Sequence, residues 1–329
     1  MHNGLVTVFG GSGFVGKQVV RALVRDGWRV RVPMRRPHLG QELRVPGNVG
    51  QVQLMQANLR FPASVDAALE GADACVNLVA LLYEQDNQTF EALHVDGADT
   101  IAQACEALGI TNVAHISAIG ADPEAGSDYA RTKGEGEARI RAHVPTADIL
   151  RPSIIFGEGD GFFTRFASMA VMSPALPLIG GGETKFQPAS VVDVAQAVAN
   201  VLRRGTTGTT YELAGPRTYS FAELMRFTLD TIDRRRFLVP LPWFAAVPMG
   251  FAGEIAGALP FVEPFLTRDQ VETLKTDNVA SGDHPGFEAL GIVPDTVEAI
   301  VPDYLERFRK YGQFHDVRSP APYRPTSPD

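Results

Sequence analysis

Apolar and polar positions in the first half of the chain follow two alternating periods. Short apolar runs typical of buried strands recur, and between them lie stretches with the 3.6-residue period of amphipathic helices. The predicted strands cover 5–10, 28–34, 51–59, 73–81, 112–118 and 147–156, and the predicted helices cover 16–27, 64–71, 90–108 and 129–143. This alternation predicts an α/β fold built on a doubly wound parallel sheet with right-handed crossovers.

The pattern is less regular after residue 157. Helices are predicted there over 190–204, 220–232 and 296–312, and a strand over 209–215. Ser220 and Glu223 have the spacing of a capping box, whereas Pro302 is expected to break the last helix. The predicted organisation is a nucleotide-binding core over 1–157, a smaller mixed α/β part over 158–314 that returns some elements to the core, and a proline-rich tail over 315–329.

Three glycines lie between the first strand and the first helix. Gly10, Gly13 and Gly16 give the spacing GxxGxxG. A missing Cβ at such positions permits a tight turn, lets a pyrophosphate approach the backbone, and allows close helix–strand packing. We expect the Phe14 and Val15 amides to face the phosphates, with the Ser12 hydroxyl beside them. The motif therefore predicts a Rossmann-like dinucleotide-binding fold.

The end of the second strand bears on the choice between NAD and NADP. An acidic residue there would bind the ribose 2′-hydroxyl, but the sequence has Arg35 and Arg36 and no carboxylate nearby. Two guanidiniums suit a 2′-phosphate, which favours NADP(H). The alternative is a pair of solvated arginines at a strand end.

Composition narrows the function classes. The net charge is −8 and the isoelectric point is about 5.4, which argues against non-specific binding of nucleic acid. Cys75 and Cys105 lie in apolar stretches without CxxC spacing and are interpreted as buried free thiols. The scattered histidines predict no metal site. The chain passes directly from Met1 into the glycine motif, so a cytosolic or bacterial-cytoplasmic protein is expected.

Residues 237–266 are the most hydrophobic stretch. The five prolines within it argue against a membrane-spanning helix. One interpretation is a core helix–turn–helix. The other is a surface that rests on a membrane or on an apolar partner.

Tyr129 and Lys133 form a YxxxK pair at the start of a predicted helix, so their side chains share one face. With the glycine motif, this pair resembles the extended short-chain dehydrogenase/reductase superfamily. The resemblance implies that the tyrosine transfers a proton and that the lysine lowers its pKa and holds the nicotinamide ribose. It also implies cofactor contacts from Asn58 and Leu59, which stand where that superfamily usually has an aspartate, and from Val79, Ala80, Ser117 and Pro152.

The run HISAIGAD departs from the superfamily pattern. Ala118 falls where active members have a hydroxyl that polarises the substrate carbonyl, and Ser117 comes one residue early. One step along a strand turns a side chain to the opposite face. Loss of such a donor lowers rates by about 10²–10³.

Several longer segments resemble one family more closely, the NADPH-binding Rossmann-type accessory subunit of respiratory complex I and its bacterial counterparts. These segments are 77–84, 115–122, 127–137, 150–169, 174–198 and 260–278, and the last is the most specific. The resemblance implies NADPH held as a structural or regulatory cofactor without demonstrated turnover. It implies complex I subunits near the quinone-reducing module as partners, with a membrane lipid surface close by. The location implied is peripheral, on the cytoplasmic side of a bacterial inner membrane or on the matrix side of a mitochondrial one.

Two alternatives remain open. Tyr129 and Lys133 would also suit an NADP-dependent reductase or epimerase that acts on a small carbonyl or sugar-nucleotide substrate. Redox sensing through the bound NADPH would combine binding with regulation.

Overall fold

Seven parallel strands form the central sheet in the computed structural model, which describes residues 4–85, 87–257, 264 and 266–312. The strands are β1 Leu5–Phe9, β2 Arg29–Met34, β3 Val52–Gln56, β4 Ala74–Asn77, β5 Val113–Ile116, β6 Asp148–Pro152, β7 Ile155–Phe156, β8 Ala175–Ile179, β9 Lys185–Phe186, β10 Ala189–Ser190, β11 Thr210–Leu213, β12 Tyr219–Ser220 and β13 Phe237–Leu241. The central sheet has the order β11-β6-β5-β4-β1-β2-β3. The predicted fold class is confirmed.

Helices cover both faces of this sheet. They are α1 Phe14–Arg25, α2 Pro62–Leu69, α3 Asp96–Ala107, α4 Asp128–His143, α5 Phe163–Met172, α6 Val191–Arg204, α7 Phe221–Thr231, α8 Trp243–Gly257, α9 Arg268–Thr273 and α10 Val297–Leu305. One core lies between the sheet and α1 and α6, and a second lies between the sheet and α2, α3 and α4. The strand order reverses direction between β1 and β4, and in such folds this point opens a crevice at the carboxyl ends of the strands.

The second half of the chain contributes to two places. Its helix α6 packs on α1, and its strand β11 pairs with β6 at the edge of the central sheet. The remaining elements enclose a third core, in which α5, α7 and α10 surround a group of phenylalanines. Ser220 accepts a hydrogen bond from the Glu223 N–H, and the Glu223 carboxylate accepts one from the Ser220 N–H, which confirms the predicted capping box.

Two local predictions are wrong. The stretch 147–156 is not one strand, because β6 ends at Pro152 and β7 pairs with β10 outside the central sheet. Helix α10 continues through Pro302, which was expected to break it. The lost N–H bond is offset because Val301 and Leu305, on either side of the proline, are fully buried in the third core.

The segment 237–266 forms β13 and α8 rather than a core helix–turn–helix, and residues 258–263 and 265 within it lie outside the described residues. The tail over 315–329 also lies outside them. No helix in the described part of the chain is long and apolar enough to cross a membrane.

The burial of His115 on β5 has a consequence for the pH dependence of stability. It is 2% exposed, and neither ring nitrogen has a hydrogen-bond partner among the described residues. Burial, and then the charge of Lys133, holds the pKa of His115 well below its usual range. The unfolded chain therefore binds a proton below about pH 6.5 that the folded chain rejects, so this residue makes stability fall as the pH falls.

We predict that His115→Leu flattens this pH dependence. Between pH 6 and pH 4, the variant's unfolding free energy should fall less steeply than the wild type's, by about 1.4 kcal/mol per pH unit. Urea unfolding at several pH values measures this slope. His38→Leu, at an exposed position, is the matched control and should leave the slope unchanged. Equal slopes in the wild type and His115→Leu would contradict the buried, neutral state.

Candidate dinucleotide-binding site

The glycine turn connects β1 to α1 with almost no space around its backbone. Gly10 has a φ of +77°, and the Gly13 N–H donates to its carbonyl at 3.0 Å. A Cβ on Gly10 would lie 2.9 Å from the backbone of Leu78, and a Cβ on Gly16 would overlap the Gly10 carbonyl oxygen and the Gly11 backbone. The turn therefore brings the start of α1 directly to the carboxyl end of β1.

The amino end of α1 is suited to an anion. Gly13 is its N-cap and provides no side-chain cap, and the first turn carries no acidic residue. Phe14 and Val15 occupy the first two helical positions, where backbone N–H groups have no partner within the helix. These free N–H groups and the helix dipole together favour a phosphate.

A groove of about 370 Å³ opens beside this turn. It is lined by predicted residues from four loops: Gly10, Ser12, Gly13, Arg35, Asn58, Leu59, Val79 and Ala80. It is also lined by residues that sequence reasoning did not select: Phe9, Pro33, Met34, Ala57, Arg60, Leu78, Leu81, Gln88 and Leu93. The loops that follow β1, β2, β3 and β4 thus meet at one crevice.

Arg36 does not line this groove. It is exposed and stands at the N-cap of a short 3₁₀ helix, Pro37–Leu39. Arg60 lies at the groove instead, and its guanidinium donates to the carbonyl of Asn87. Arg60 was not among the predicted cofactor residues, because it follows the third strand, whereas 2′-phosphate recognition was expected at the end of the second. The signal was present in the run ANLR.

Lys133 lies outside the groove and is 1% exposed. Its Nζ donates to the Ile116 carbonyl at 2.6 Å, and burial lowers the pKa of Lys133 to about 8, opposed in part by the charge of Glu137. Ser117 and Pro152 are buried nearby at the ends of β5 and β6. The Ser117 hydroxyl is buried and has no hydrogen-bond partner among the described residues.

Tyr129 is half-buried at the start of α4, with its ring edge-on to Phe90 and His94. Burial, and then the negative charge of Asp269, raises the pKa of Tyr129 to about 12. The Lys133 ammonium donates to the Ile116 carbonyl, and the implied lowering of the Tyr129 pKa by Lys133 stays a prediction.

His94, beside Tyr129, is a neutral structural residue. Its Nε2 accepts the Leu81 N–H at 3.0 Å, and its Nδ1 lies 3.0 Å from the Thr132 hydroxyl. Burial lowers the pKa of His94 to about 3, with a smaller effect from Lys133. The ring therefore fixes the loop after β4 against α4.

Asp269 and Asn278, in the segment 260–278 that the sequence analysis found most specific, connect the second half of the chain to the first. The Asp269 carboxylate accepts the N–H of Asp128 at 2.5 Å and lies 3.3 Å from the N–H of Tyr129, so it caps α4 from α9. The Asn278 side chain accepts the Ile154 N–H at 3.0 Å and donates to the Ile119 carbonyl at 3.2 Å. Sequence reasoning singled out this segment without identifying these contacts, which span more than a hundred residues of chain.

Two glycines of the turn make a matched test. Gly16→Ala should lower the unfolding free energy by about 1–3 kcal/mol, because the new methyl group meets backbone that must shift. Gly13→Ala should change it by less than about 1 kcal/mol, since its Cβ would approach nothing closer than 3.4 Å. Urea unfolding measures both variants, and equal losses would contradict the close packing at Gly16.

Comparison with known proteins agrees with this geometry. The family described as the NAD dependent epimerase/dehydratase family matches residues 6–214. The dTDP-glucose 4,6-dehydratase DesIV from Streptomyces venezuelae, solved as a double mutant with NAD and DAU bound, has a TM-score of 0.68 at 18% identity. It covers 93% of this chain and 97% of that one. This likeness shows a shared fold.

Two relatives are similar over most of the sequence. Subunit 9 of the NADH dehydrogenase [ubiquinone] 1 alpha subcomplex from Mus musculus mitochondria is 33% identical, over 93% of this chain and 81% of that protein. Ceramide reductase from Caulobacter vibrioides is 30% identical, over 73% of this chain and 74% of that protein. By these matches, the chain belongs to the NAD dependent epimerase/dehydratase family and, within it, to the group that contains the complex I alpha subcomplex subunit 9.

Proposed function

We propose that this chain is an accessory subunit of respiratory complex I that binds NADPH as a structural or regulatory cofactor. One observation carries the proposal: a relative that is itself a complex I subunit aligns along 93% of the chain, which retains a complete glycine turn and groove. The place proposed is peripheral, on the cytoplasmic side of a bacterial inner membrane, beside the quinone-reducing module.

The residues present fit NADPH. The glycine turn and the amino end of α1 would hold the pyrophosphate, and Arg35 at the groove rim would bind the 2′-phosphate. Asn58 and Leu59 would contact the adenine, with Val79 and Ala80 along the wall toward the nicotinamide end. Ser117, Tyr129, Lys133 and Pro152 are proposed for the nicotinamide end.

The same cofactor serves as a hydride donor in reductases, but here the surrounding residues favour retention over turnover. Ala118 stands where active members of the superfamily have a hydroxyl. A ligand that binds only the folded state at about 1,000 times its dissociation constant stabilises that state by about 4 kcal/mol. Bound NADPH would therefore brace the fold.

The reductase or epimerase alternative rests on Tyr129 and Lys133, which share one face of α4. The Caulobacter relative shows that the wider group includes a protein named as a reductase. Its match covers less of the chain than that of the complex I subunit, so the accessory role has the stronger support.

We also propose that β13 and α8 face lipid. Phe244, Val247 and Phe251 follow a spacing of three and four residues along α8, and all three are exposed. Phe237 is 78% exposed and Val239 is also exposed at alternate positions of β13. Arg235, which precedes β13, is exposed, and a cation beside apolar side chains suits an anionic membrane surface.

Isolation of the native membrane complexes tests the accessory role. We predict that this chain migrates with the other subunits of NADH:quinone oxidoreductase on native gels, as identified by mass spectrometry. Deletion of the gene should lower the amount of assembled complex. A chain found only in the free fraction, with normal assembly after deletion, would contradict the proposal.

Sedimentation with anionic phosphatidylglycerol vesicles tests the lipid surface. The double variant Phe244→Ser with Phe251→Ser should bind vesicles at least about tenfold more weakly than the wild type, since both rings lose apolar contact. The double variant Val45→Ser with Val49→Ser is the control, because these exposed residues lie in the turns before β3 and outside the segment proposed to face lipid. Vesicle binding by both double variants at the wild-type level would contradict the proposed lipid-facing surface.

A further inference from the structure

We propose that Arg60, and not Arg36, is the second cation that recognises the adenosine 2′-phosphate beside Arg35. This inference rests on the proposed binding of NADPH and assigns a specificity-determining residue to that same site. It follows from the placement of three arginines, of which the structure brings two to the groove.

Arg35 and Arg60 leave adjacent strands at one edge of the sheet. Strands β2 and β3 pair in parallel, with Met34 opposite Gln56. The segments that follow them therefore begin at neighbouring carboxyl ends of the sheet. Arg35 comes directly after β2, and Arg60 ends the short run ANLR after β3. Both residues line the groove whose far wall carries the glycine turn.

The two guanidiniums converge on the same loop. Arg35 Nη1 donates to Gln88 Oε1 at 3.1 Å, and the Arg60 guanidinium donates to the carbonyl of Asn87. Since these acceptors belong to consecutive residues, both guanidiniums are bound to the same short loop. Both acceptors are neutral, so neither positive charge is compensated by its hydrogen bond.

No carboxylate neutralises either arginine among the described residues, where the ion pairs involve other cations. Two guanidiniums with no carboxylate partner among the described residues, both at one groove in a chain of net charge −8, provide a local site for a dianion. The adenosine 2′-phosphate is the group that distinguishes NADPH from NADH, and it would meet both cations there.

Asn58 supports this assignment. Its Oδ1 accepts the backbone N–H of Arg60 at 3.2 Å and so fixes the direction in which the arginine leaves the strand. The superfamily resemblance places an aspartate at this position, which would put a negative charge beside Arg60 and repel a phosphate. The neutral amide keeps the turn and removes that repulsion.

Arg36 lacks each of these features. It does not line the groove, and its carbonyl accepts the Leu39 N–H at 3.1 Å as the cap of the short helix. It therefore provides a control with the same side chain, one residue from Arg35.

Calorimetry on the full chain tests the inference with four ligands: NADPH, NADH, 2′,5′-ADP and 5′-ADP. Arg60→Ala should weaken the binding of NADPH and of 2′,5′-ADP about tenfold to a hundredfold, which is the effect of losing one charge-assisted hydrogen bond. Its affinities for NADH and 5′-ADP should stay within about twofold, which also shows that the variant is folded. Arg36→Ala should leave all four affinities unchanged, and Arg60→Lys should restore part of the loss.

Unchanged NADPH affinity in Arg60→Ala, or equal losses for 2′,5′-ADP and 5′-ADP, would overturn the assignment while leaving NADPH binding itself intact. A wild-type chain that binds NADPH no more tightly than NADH would instead refute the proposed cofactor, and this inference with it. The wild-type measurement therefore separates the two failures.

Discussion

The close approach of α1 to the glycine turn determines where every other part of the site can be. Gly16 lies against the Gly10 carbonyl with no room for a side chain, so the amino end of the helix stands at the carboxyl edge of β1. That edge lies at the point where the strand order reverses, and the loops after β1, β2, β3 and β4 meet there. A larger residue at this contact would move the helix and remove the anion site.

The features that were predictable from sequence are those that depend on neighbouring residues. The glycine spacing, the buried strands and the Ser220 capping box are local patterns, and each reports on a few neighbouring residues. The short, mostly apolar runs of β4 and β5 follow from burial on both faces of a parallel sheet. These features therefore sufficed to predict the fold class and the residues of the turn.

Contacts between distant residues were not predictable in this way. Asp269 caps α4 from 140 residues away in the sequence, and Asn278 joins the turn after β6 from more than 120 residues away. Arg60 stands in the run ANLR after β3, but its place at one groove with Arg35 follows from the pairing of β2 with β3. Pro302 misled the prediction because burial of its neighbours outweighs one lost hydrogen bond.

The fold supports many chemistries, so the role of this chain depends on what its site retains and lacks. It has the glycine turn and two arginines at the groove, which we propose serve binding, and it has Ala118 where the superfamily resemblance implies a hydroxyl that serves turnover. Asp269 and Asn278 tie the C-terminal elements to α4 and to the end of β6. A dinucleotide held in the groove would add to that attachment as a structural ligand.

The most direct test of this account is to identify the nucleotide that is bound to the protein in its own cells. The chain is purified under native conditions from its own cells and denatured, and the released nucleotide is identified and quantified by mass spectrometry. The account predicts NADPH or NADP⁺ at close to one molecule per chain. Release of NADH or NAD⁺, or of no dinucleotide, would contradict it.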